Sequence, residues 1–311
     1  MNILQTLRPY LLDTPKPLIG AETIQLILIR EIHDFTVLRT EESRELNTVH
    51  TPLSITDKRS IRRVAFLGSK QKAAETRELE HILRTATNSI NMNVKECYLK
   101  DNLCLECPRC ALFGATSTES GRADKANIKH RIEYSTAFSL LPFEDISSEI
   151  TFNAIDDKTI TTGQALGTRF SVSPATIFPS IITLKSVTQN ELILAIKLLL
   201  SCKSYGAESR IGGNIRNSIM AVVAGWEEII TSLELTLELY DKKDNISGEV
   251  IRSILKNKYL PLAANSSKVK VLTTEEAEEL ISECTGMELG KEFLQKSYDD
   301  VRKYKEIQSG K

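Results

Sequence analysis

The first strongly patterned part of the chain combines one apolar strand with one amphipathic helix. Residues 22–32 (ETIQLILIREI) are apolar and β-branched almost throughout, which predicts a central strand covered on both faces. Residues 72–90 instead repeat apolar side chains at the spacing of one helical face. Those side chains are Leu79, Ile82, Leu83, Ala86 and Ile90. The pattern therefore predicts a strand and a helix that can pack on it.

A second unit, strand–helix–strand, is predicted further along the chain. Residues 176–187 have the pattern of a strand, and Thr188 with Glu191 forms a capping box at the start of a helix. The helix runs to about residue 205, and Gly206 supplies a left-handed stop. An apolar strand follows at residues 218–224. This unit is half of a ferredoxin-like sheet, and the first strand and helix could supply the other half.

The remaining segments are less regular. Residues 33–58 are polar without a period, which predicts a long loop or insertion, and such a loop is usually functional. Residues 233–239 alternate like a strand but also fit a helix, which the helical character of the surrounding tail favours. The other predicted elements are strands at 64–67 and 128–141, a hairpin at 150–160 turning at 156–158, a capping box at 273–276 and a helix at 287–306.

Composition places the chain among ordinary globular proteins. Of 311 residues, 41% are hydrophobic and 26% are charged, and 40 bases against 41 acids give a net charge of −1. The part before Glu227 has 27 bases and 24 acids, so it is mildly basic, whereas the tail is mildly acidic. No apolar run approaches the length of a membrane span and no signal peptide is evident. We therefore expect a cytoplasmic protein.

Four of the six cysteines fall within fourteen residues: Cys97, Cys104, Cys107 and Cys110. In a cytoplasmic protein such clustering favours a metal site over disulfides, and the spacing suits a closed tetrahedral zinc site. An iron–sulfur cluster would place a fourth cysteine where Gly114 stands, so it is the weaker alternative. Absence of any metal stays a further alternative. One of the histidines could also replace Cys97 as the fourth ligand: His50, His81 or His130.

Basic residues gather in three places. These are residues 58–63 (KRSIRR) with Lys70 and Lys72, residues 122–131 after the cysteines, and a glycine-rich loop at 210–216. Lysine and arginine neutralise phosphates, and glycines let backbone amides approach them. Solvated surface is the plain alternative for each residue. Together the clusters raise a nucleic-acid ligand as a hypothesis beside that of a solvated surface, and one or two of the aromatic residues could face a base.

Catalytic motifs are not evident in the sequence, which contains neither a nucleophile elbow nor a P-loop. Asp156 and Asp157, at the predicted hairpin tip, could bind a metal or act as a base. Carboxylates in turns are more often only solvated. We therefore expect a protein without enzymatic activity.

These motifs together resemble the RAMP superfamily of CRISPR-associated proteins. The run CPRCALFG at 107–114, a small-polar linker and KHR at 129–131 are similar to a cysteine–Phe–Gly element that precedes a basic strand in that superfamily. GTRF at 167–170, FPSI at 178–181 and GAESRIGG at 206–213 resemble the backbone subunit of type I-D Cascade complexes. The resemblance covers about residues 20 to 260.

The resemblance implies an α+β fold with a ferredoxin-like (RRM-like) core and an antiparallel sheet. That core would comprise residues 20–91 and 128–226, with a lid at 33–60 and a thumb hairpin at 142–167. Residues 92–127 would form a zinc-binding insertion, and 227–311 a helical C-terminal region. The implied function is a non-catalytic scaffold that binds guide (CRISPR) RNA along its backbone, oligomerises along it and displays bases for pairing with target DNA. The implied partners are further copies of the chain and the large and capping subunits of a Cascade ribonucleoprotein used in antiviral defence.

The predicted functional residues follow from both lines of reasoning. The predicted ligands of a structural zinc ion are Cys97, Cys104, Cys107 and Cys110. The predicted RNA-binding residues are Lys58, Arg59, Arg62, Arg63, Lys70, Lys72, Arg122, Lys125, Lys129, His130, Arg131, Arg169, Arg210, Gly212, Gly213 and Arg216. Two rival hypotheses remain, a RAMP endoribonuclease that uses Asp156 or Asp157 and a zinc-stabilised interaction protein without nucleic acid.

Overall fold

The structure is a computed structural model, and it describes residues 3–40, 45–99, 102–116, 127–155, 158–207 and 212–309. The strands are β1 (Thr23–Ile32), β2 (Thr48–Pro52), β3 (Ser60–Phe66), β4 (Ala115–Thr116), β5 (Asn127–Ile128), β6 (Ile132–Tyr134), β7 (Ala137–Phe138), β8 (Ser147–Ile155), β9 (Thr162–Val172), β10 (Ile177–Lys185), β11 (Ile215–Gly225) and β12 (Lys270–Val271). The α-helices are α1 (Ile3–Leu7), α2 (Gly68–Ser89), α3 (Pro108–Phe113), α4 (Phe143–Ile146), α5 (Gln189–Ser201), α6 (Ser232–Tyr240), α7 (Gly248–Ile254), α8 (Thr274–Gly286) and α9 (Lys291–Ser309).

The main sheet has five strands in the order β12–β11–β1–β10–β6, and all neighbouring strands are antiparallel. The central strand is β1, which pairs with β10 from Thr23↔Lys185 onward and with β11 on its other side. Its apolar run is buried almost throughout, as expected for a strand covered on both faces. This mixed helical and antiparallel architecture confirms the predicted α+β class.

Helices cover both faces of this sheet because alternate residues of β1 point in opposite directions. Ile24, Leu26 and Leu28 pack on one face with α1, α2, α5 and α8. Ile27 and Ile29 pack on the other face with α6 and α7. Both faces of the main sheet are therefore buried.

The polar segment after β1 is anchored at one end of the main sheet. Thr36 bridges to Val172 and Val37 bridges to Ala207, which fixes its first residues. β2, β3 and β7 then form a small second sheet. An apolar cluster lies beneath these elements and the β8–β9 hairpin: Ile32, Leu38, Val64, Phe66, Ile146, Val172 and Phe178 are among its members.

Several predicted elements are confirmed. β1, β10 and the helix after Thr188 lie where the pattern placed them, and the capping boxes at Thr188 and Thr273 are present. Residues 233–239 are helical, with a capping box at Thr231. The helix predicted from residue 72 begins one turn earlier, and the hairpin is longer than predicted, spanning β8 to β9.

Two of the secondary-structure predictions were wrong. The single strand at 128–141 is broken into β5, β6 and β7, because each piece pairs with a different partner strand. The helix α5 ends at Ser201, so Gly206 does not stop it. Gly206 instead lies in the next loop with φ 90°, where a Cβ atom would come within 2.7 Å of the Val37 carbonyl oxygen. It is glycine because the backbones approach closely there.

The C-terminal region contributes more than helices. Its short strand β12 extends the main sheet beside β11. The last helix, α9, packs against α3 and α5 instead of projecting into solvent. None of the helices in the described ranges is both long and apolar enough to cross a lipid bilayer.

Candidate metal centre and nucleic-acid interface

The four clustered cysteines converge on one point. Their sulfur atoms all lie within 4.8 Å of one another, and Cys97 Sγ is 3.5 Å from Cys110 Sγ. Sulfurs bound to one zinc ion by bonds of about 2.3 Å would lie roughly 3.8 Å apart, so the cluster fits a tetrahedral metal site. Hydrogen bonding from Cys104 and the other two thiols lowers the pKa of Cys110 well below its usual value. Among the described residues, no histidine joins this cluster, which favours Cys97 as the fourth ligand.

The local backbone explains how this spacing brings the thiols together. Leu105 takes a left-handed conformation, with φ 59°, and the Glu106 amide donates to Cys104 Sγ at 3.4 Å. Cys107 caps α3, where its sulfur accepts from the Cys110 amide at 3.4 Å. Such turns present two sulfurs on one side of a knuckle. The geometry is therefore compatible with a structural metal that closes this segment.

Helix α9 completes the surroundings of the cysteines. Tyr298, Val301 and Tyr304 from α9 pack into the same apolar cluster as Cys107 and Cys110. Glu106, between the cysteines, pairs with Lys95 and with Lys305 of α9. The cysteine segment is thus braced by a helix that is distant in sequence, since Glu106 and Lys305 are 199 residues apart.

An open groove of about 820 Å³ lies between α2, the cysteine segment and α9. Four basic side chains line this cationic groove: Lys72, Arg109, Lys129 and His130. Burial and then Arg109 lower the pKa of Lys72, and burial followed by Lys72 lowers the pKa of His130. No aspartate or glutamate lines the described part of the groove. Cations that repel each other in a groove without acids create a favourable site for a polyanion.

A second basic surface joins β3, which follows the predicted lid, to the base of the β8–β9 hairpin. The Arg62 guanidinium lies 3.9 Å from the Phe143 ring centre and pairs with Glu144 at 2.9 Å. The Phe143 ring is 6.2 Å from that of Phe170, which follows Arg169 on β9. Burial, and then repulsion from Arg39, lowers the pKa of Arg169. This lid–hairpin surface combines partly exposed cations and aromatic rings, which is typical of single-strand binding.

The glycine-rich loop lies beside the start of the predicted lid. Gly212, Gly213 and Arg216 are exposed, and Gly213 has φ 67°. Asn214 fixes the loop, because its side chain accepts from the Tyr205 amide at 2.9 Å and donates to Thr36 Oγ1 at 2.9 Å. The structure thereby brings two predicted regions together that are far apart in sequence.

A family model described as Csc2 Crispr matches residues 8–308. The chain belongs to the Csc2 CRISPR family. The crystal structure of Thermofilum pendens Csc2 is similar over 100% of this chain and 98% of that chain, with a TM-score of 0.70 and 20% identity. At that identity the likeness shows a shared fold.

Other solved structures are less similar. A chain of a CRISPR RNA-guided surveillance complex covers 66% of this chain and 72% of its own length, with a TM-score of 0.41 and 14% identity. A chain of a Type IV-B CRISPR complex covers 62% of this chain and 89% of its own length, with a TM-score of 0.43 and 12% identity. No curated protein sequence matches the chain. The family assignment therefore rests on the family model alone.

The remaining predicted RNA-binding residues in this Csc2-family chain differ in their surroundings. Lys58 and Arg59 are exposed, where Lys58 Nζ donates to the Ile55 carbonyl and Arg59 pairs with Asp57 at 2.6 Å. Lys70 is half-buried in the first turn of α2. Arg122, Lys125 and Arg210 lie outside the described residues, as do Asp156 and Asp157.

Two predicted RNA ligands, Arg63 and Arg131, need correction because their side chains are fully buried. Arg63 donates to the carbonyl oxygens of Ser139, Leu140 and Leu53, and burial lowers its pKa to about 10. Arg131 forms a two-fold ion pair with Glu191 and also donates to the Ala111 carbonyl. Both guanidinium groups satisfy internal acceptors, so their role is to hold elements together.

One buried polar network was missed by the sequence analysis. Arg30 of β1 pairs with Glu75 of α2 at 2.8 Å, and both side chains are fully buried. Glu75 also accepts from the hydroxyls of Tyr134 and Tyr205, at 2.5 and 2.8 Å. Burial alone would lower the pKa of Arg30, but Glu75 raises it overall. An arginine inside an otherwise apolar central strand was the available signal for a buried ion pair.

Proposed function

We propose that this chain is the guide-RNA-binding backbone subunit of a type I-D Cascade complex. The observation that carries the proposal is the match of residues 8–308 to the Csc2 CRISPR family. The cationic groove, whose described lining contains no acid, supports it, as does the lid–hairpin surface, where the Arg62 guanidinium lies over the Phe143 ring. The contacts are to the sugar–phosphate backbone, which leaves the bases free to pair with target DNA.

The core of this subunit is RRM-like. In chain order, the strands β1, β6, β10 and β11 are the first, second, third and fourth of a β–α–β–β–α–β unit, with α2 and α5 as its helices. Their spatial order, fourth–first–third–second, supports a ferredoxin-like core. The lid and the β8–β9 hairpin are then insertions at one end of that core. Both carry predicted RNA-binding residues.

A structural zinc ion occupies the cysteine cluster in this proposal. Four thiolates form a closed site, so the ion supplies a folding constraint and leaves no position open for a substrate. The subunit is non-catalytic and acts in the cytoplasm. Its partners are guide RNA, target DNA, further copies of itself along the RNA, and the large and capping subunits of the complex.

Equilibrium binding to single-stranded RNA of unrelated sequences tests this function. We expect binding that weakens with salt, and Arg62→Gln or Arg169→Gln should weaken it equally for all sequences. Each lost phosphate contact should reduce the slope of log K against log salt by about 0.7. Arg302→Gln is the matched control, since Arg302 is an exposed arginine on α9 that pairs with Asp299.

Two results would contradict the proposal. Binding of the wild-type chain that is absent or insensitive to salt would favour an interaction protein without nucleic acid. Cleavage of a repeat-containing transcript or of a target RNA in the same samples would favour the endoribonuclease. We expect both RNAs to be recovered intact.

A further inference from the structure

Arg109 occupies an unusual place between the cysteine cluster and the cationic groove. It stands between Cys107 and Cys110 in the first turn of α3, and only 3% of its surface is exposed. It lines the groove on one side. On the other side it lines a cavity of about 240 Å³ bounded by α2 and the cysteine segment, here called the cysteine cavity. The Arg109 side chain therefore lines both the cationic groove and the cysteine cavity.

The hydrogen bonds of Arg109 leave part of its guanidinium unsatisfied. Nη1 lies 3.9 Å from Cys110 Sγ, whereas Nε is buried without a hydrogen-bond partner in the described part of the chain. No carboxylate there forms an ion pair with Arg109 within 4 Å. Glu80 is the acid whose pKa Arg109 lowers, although burial and Cys97 raise that pKa overall. A buried cation with so few partners is costly unless other anions compensate it.

Two anions can provide this compensation. Four thiolates around a divalent ion carry a net charge of −2, and Cys110 belongs to that set. The groove on the opposite side is lined by Lys72, Lys129 and His130, so it suits a phosphate group. Arg109 is the residue that both sites share.

We propose that Arg109 couples the metal centre to an anion site in the groove. With a metal bound, the thiolates would hold the guanidinium in place, and the N–H groups that Cys110 does not accept would bind a phosphate of a single-stranded nucleic acid together with Lys72 and His130. This inference rests on the RNA-binding function proposed above. It adds that metal binding and RNA binding favour each other.

Thermodynamic linkage makes the coupling measurable from the metal side. If the bound metal raises the affinity for RNA by some factor, RNA must raise the affinity for the metal by the same factor. We expect a short single-stranded oligouridylate to increase the zinc affinity of the wild-type chain about fivefold or more, the usual lower end of such coupling. The measurement is a titration with a competing chelator, with and without the oligonucleotide.

Variants separate the two halves of the proposal. Arg109→Gln should lower the zinc affinity without RNA and abolish the increase that RNA produces, and Arg109→Lys should restore part of both. Lys72→Gln should reduce the RNA-dependent increase but leave the zinc affinity without RNA unchanged. Arg84→Gln is the matched control, because Arg84 lines the cysteine cavity but is half-exposed and pairs with Glu80 at 3.4 Å.

The outcomes are distinguishable. A wild-type chain that binds the oligonucleotide while its zinc affinity stays constant would overturn the coupling and leave the proposed function intact. A wild-type chain that binds no oligonucleotide would overturn both. If Arg109→Gln does not fold, as judged by circular dichroism, Lys72→Gln and Arg109→Lys still decide the question.

Discussion

At the scale of single residues, arginines at the surface and arginines in the core have different roles. Arg62 lies at the surface, whereas Arg30 is sealed in the core with Glu75. Removing one partner of a buried pair leaves a buried charge, so Glu75→Gln should lower the free energy of unfolding by about 3–5 kcal/mol in urea denaturation. Asp57→Asn breaks the exposed pair with Arg59 and should leave stability nearly unchanged. Equal losses in the two variants would refute a structural role for the buried pair.

At the scale of elements, α9 acts as a brace for the cysteine segment. Tyr304 is buried against the cluster that contains Cys107 and Cys110, whereas Ile307, less than one turn later, is 53% exposed. Deleting a buried aromatic side chain costs about 3 kcal/mol, so Tyr304→Ala should speed amide hydrogen exchange in residues 92–116 roughly a hundredfold. Ile307→Ala should leave that exchange unchanged. If the two variants behave alike, α9 does not brace the segment.

At the scale of the whole molecule, stability is divided between two kinds of core. Within the described ranges, three apolar clusters surround the main sheet, and a fourth, smaller cluster contains the cysteines themselves. Metal removal by a chelator should therefore abolish exchange protection in the cysteine segment while β1 and β10 keep theirs. Cys97→Ser should reproduce this loss, whereas Cys284→Ala, which changes a buried cysteine of α8 outside the cluster, should keep its metal content. Simultaneous unfolding of both regions would show that the metal supports the whole fold.

The sequence by itself determined the features that local pattern encodes. An apolar run is sufficient to predict β1, the capping box at Thr188 marks the start of α5, and cysteine spacing predicted a cluster that the structure brings together. These features depend on neighbours a few residues apart. These features can therefore be predicted from one amino-acid sequence.

Only the tertiary structure decided which partners distant residues meet. In the sequence, Arg63 and Arg131 cannot be distinguished from the basic residues beside them. Their guanidinium groups are nevertheless buried, and the carbonyls and the carboxylate that accept their hydrogen bonds come from other elements. The break of residues 127–138 into three strands has the same origin, since each piece follows a different partner. Arg109 lies between two candidate sites only because the fold places the cysteine cluster on one side of it and the cationic groove on the other. Contacts between residues that are distant in sequence depend on how all elements pack together, so the local pattern of apolar and polar residues does not predict them.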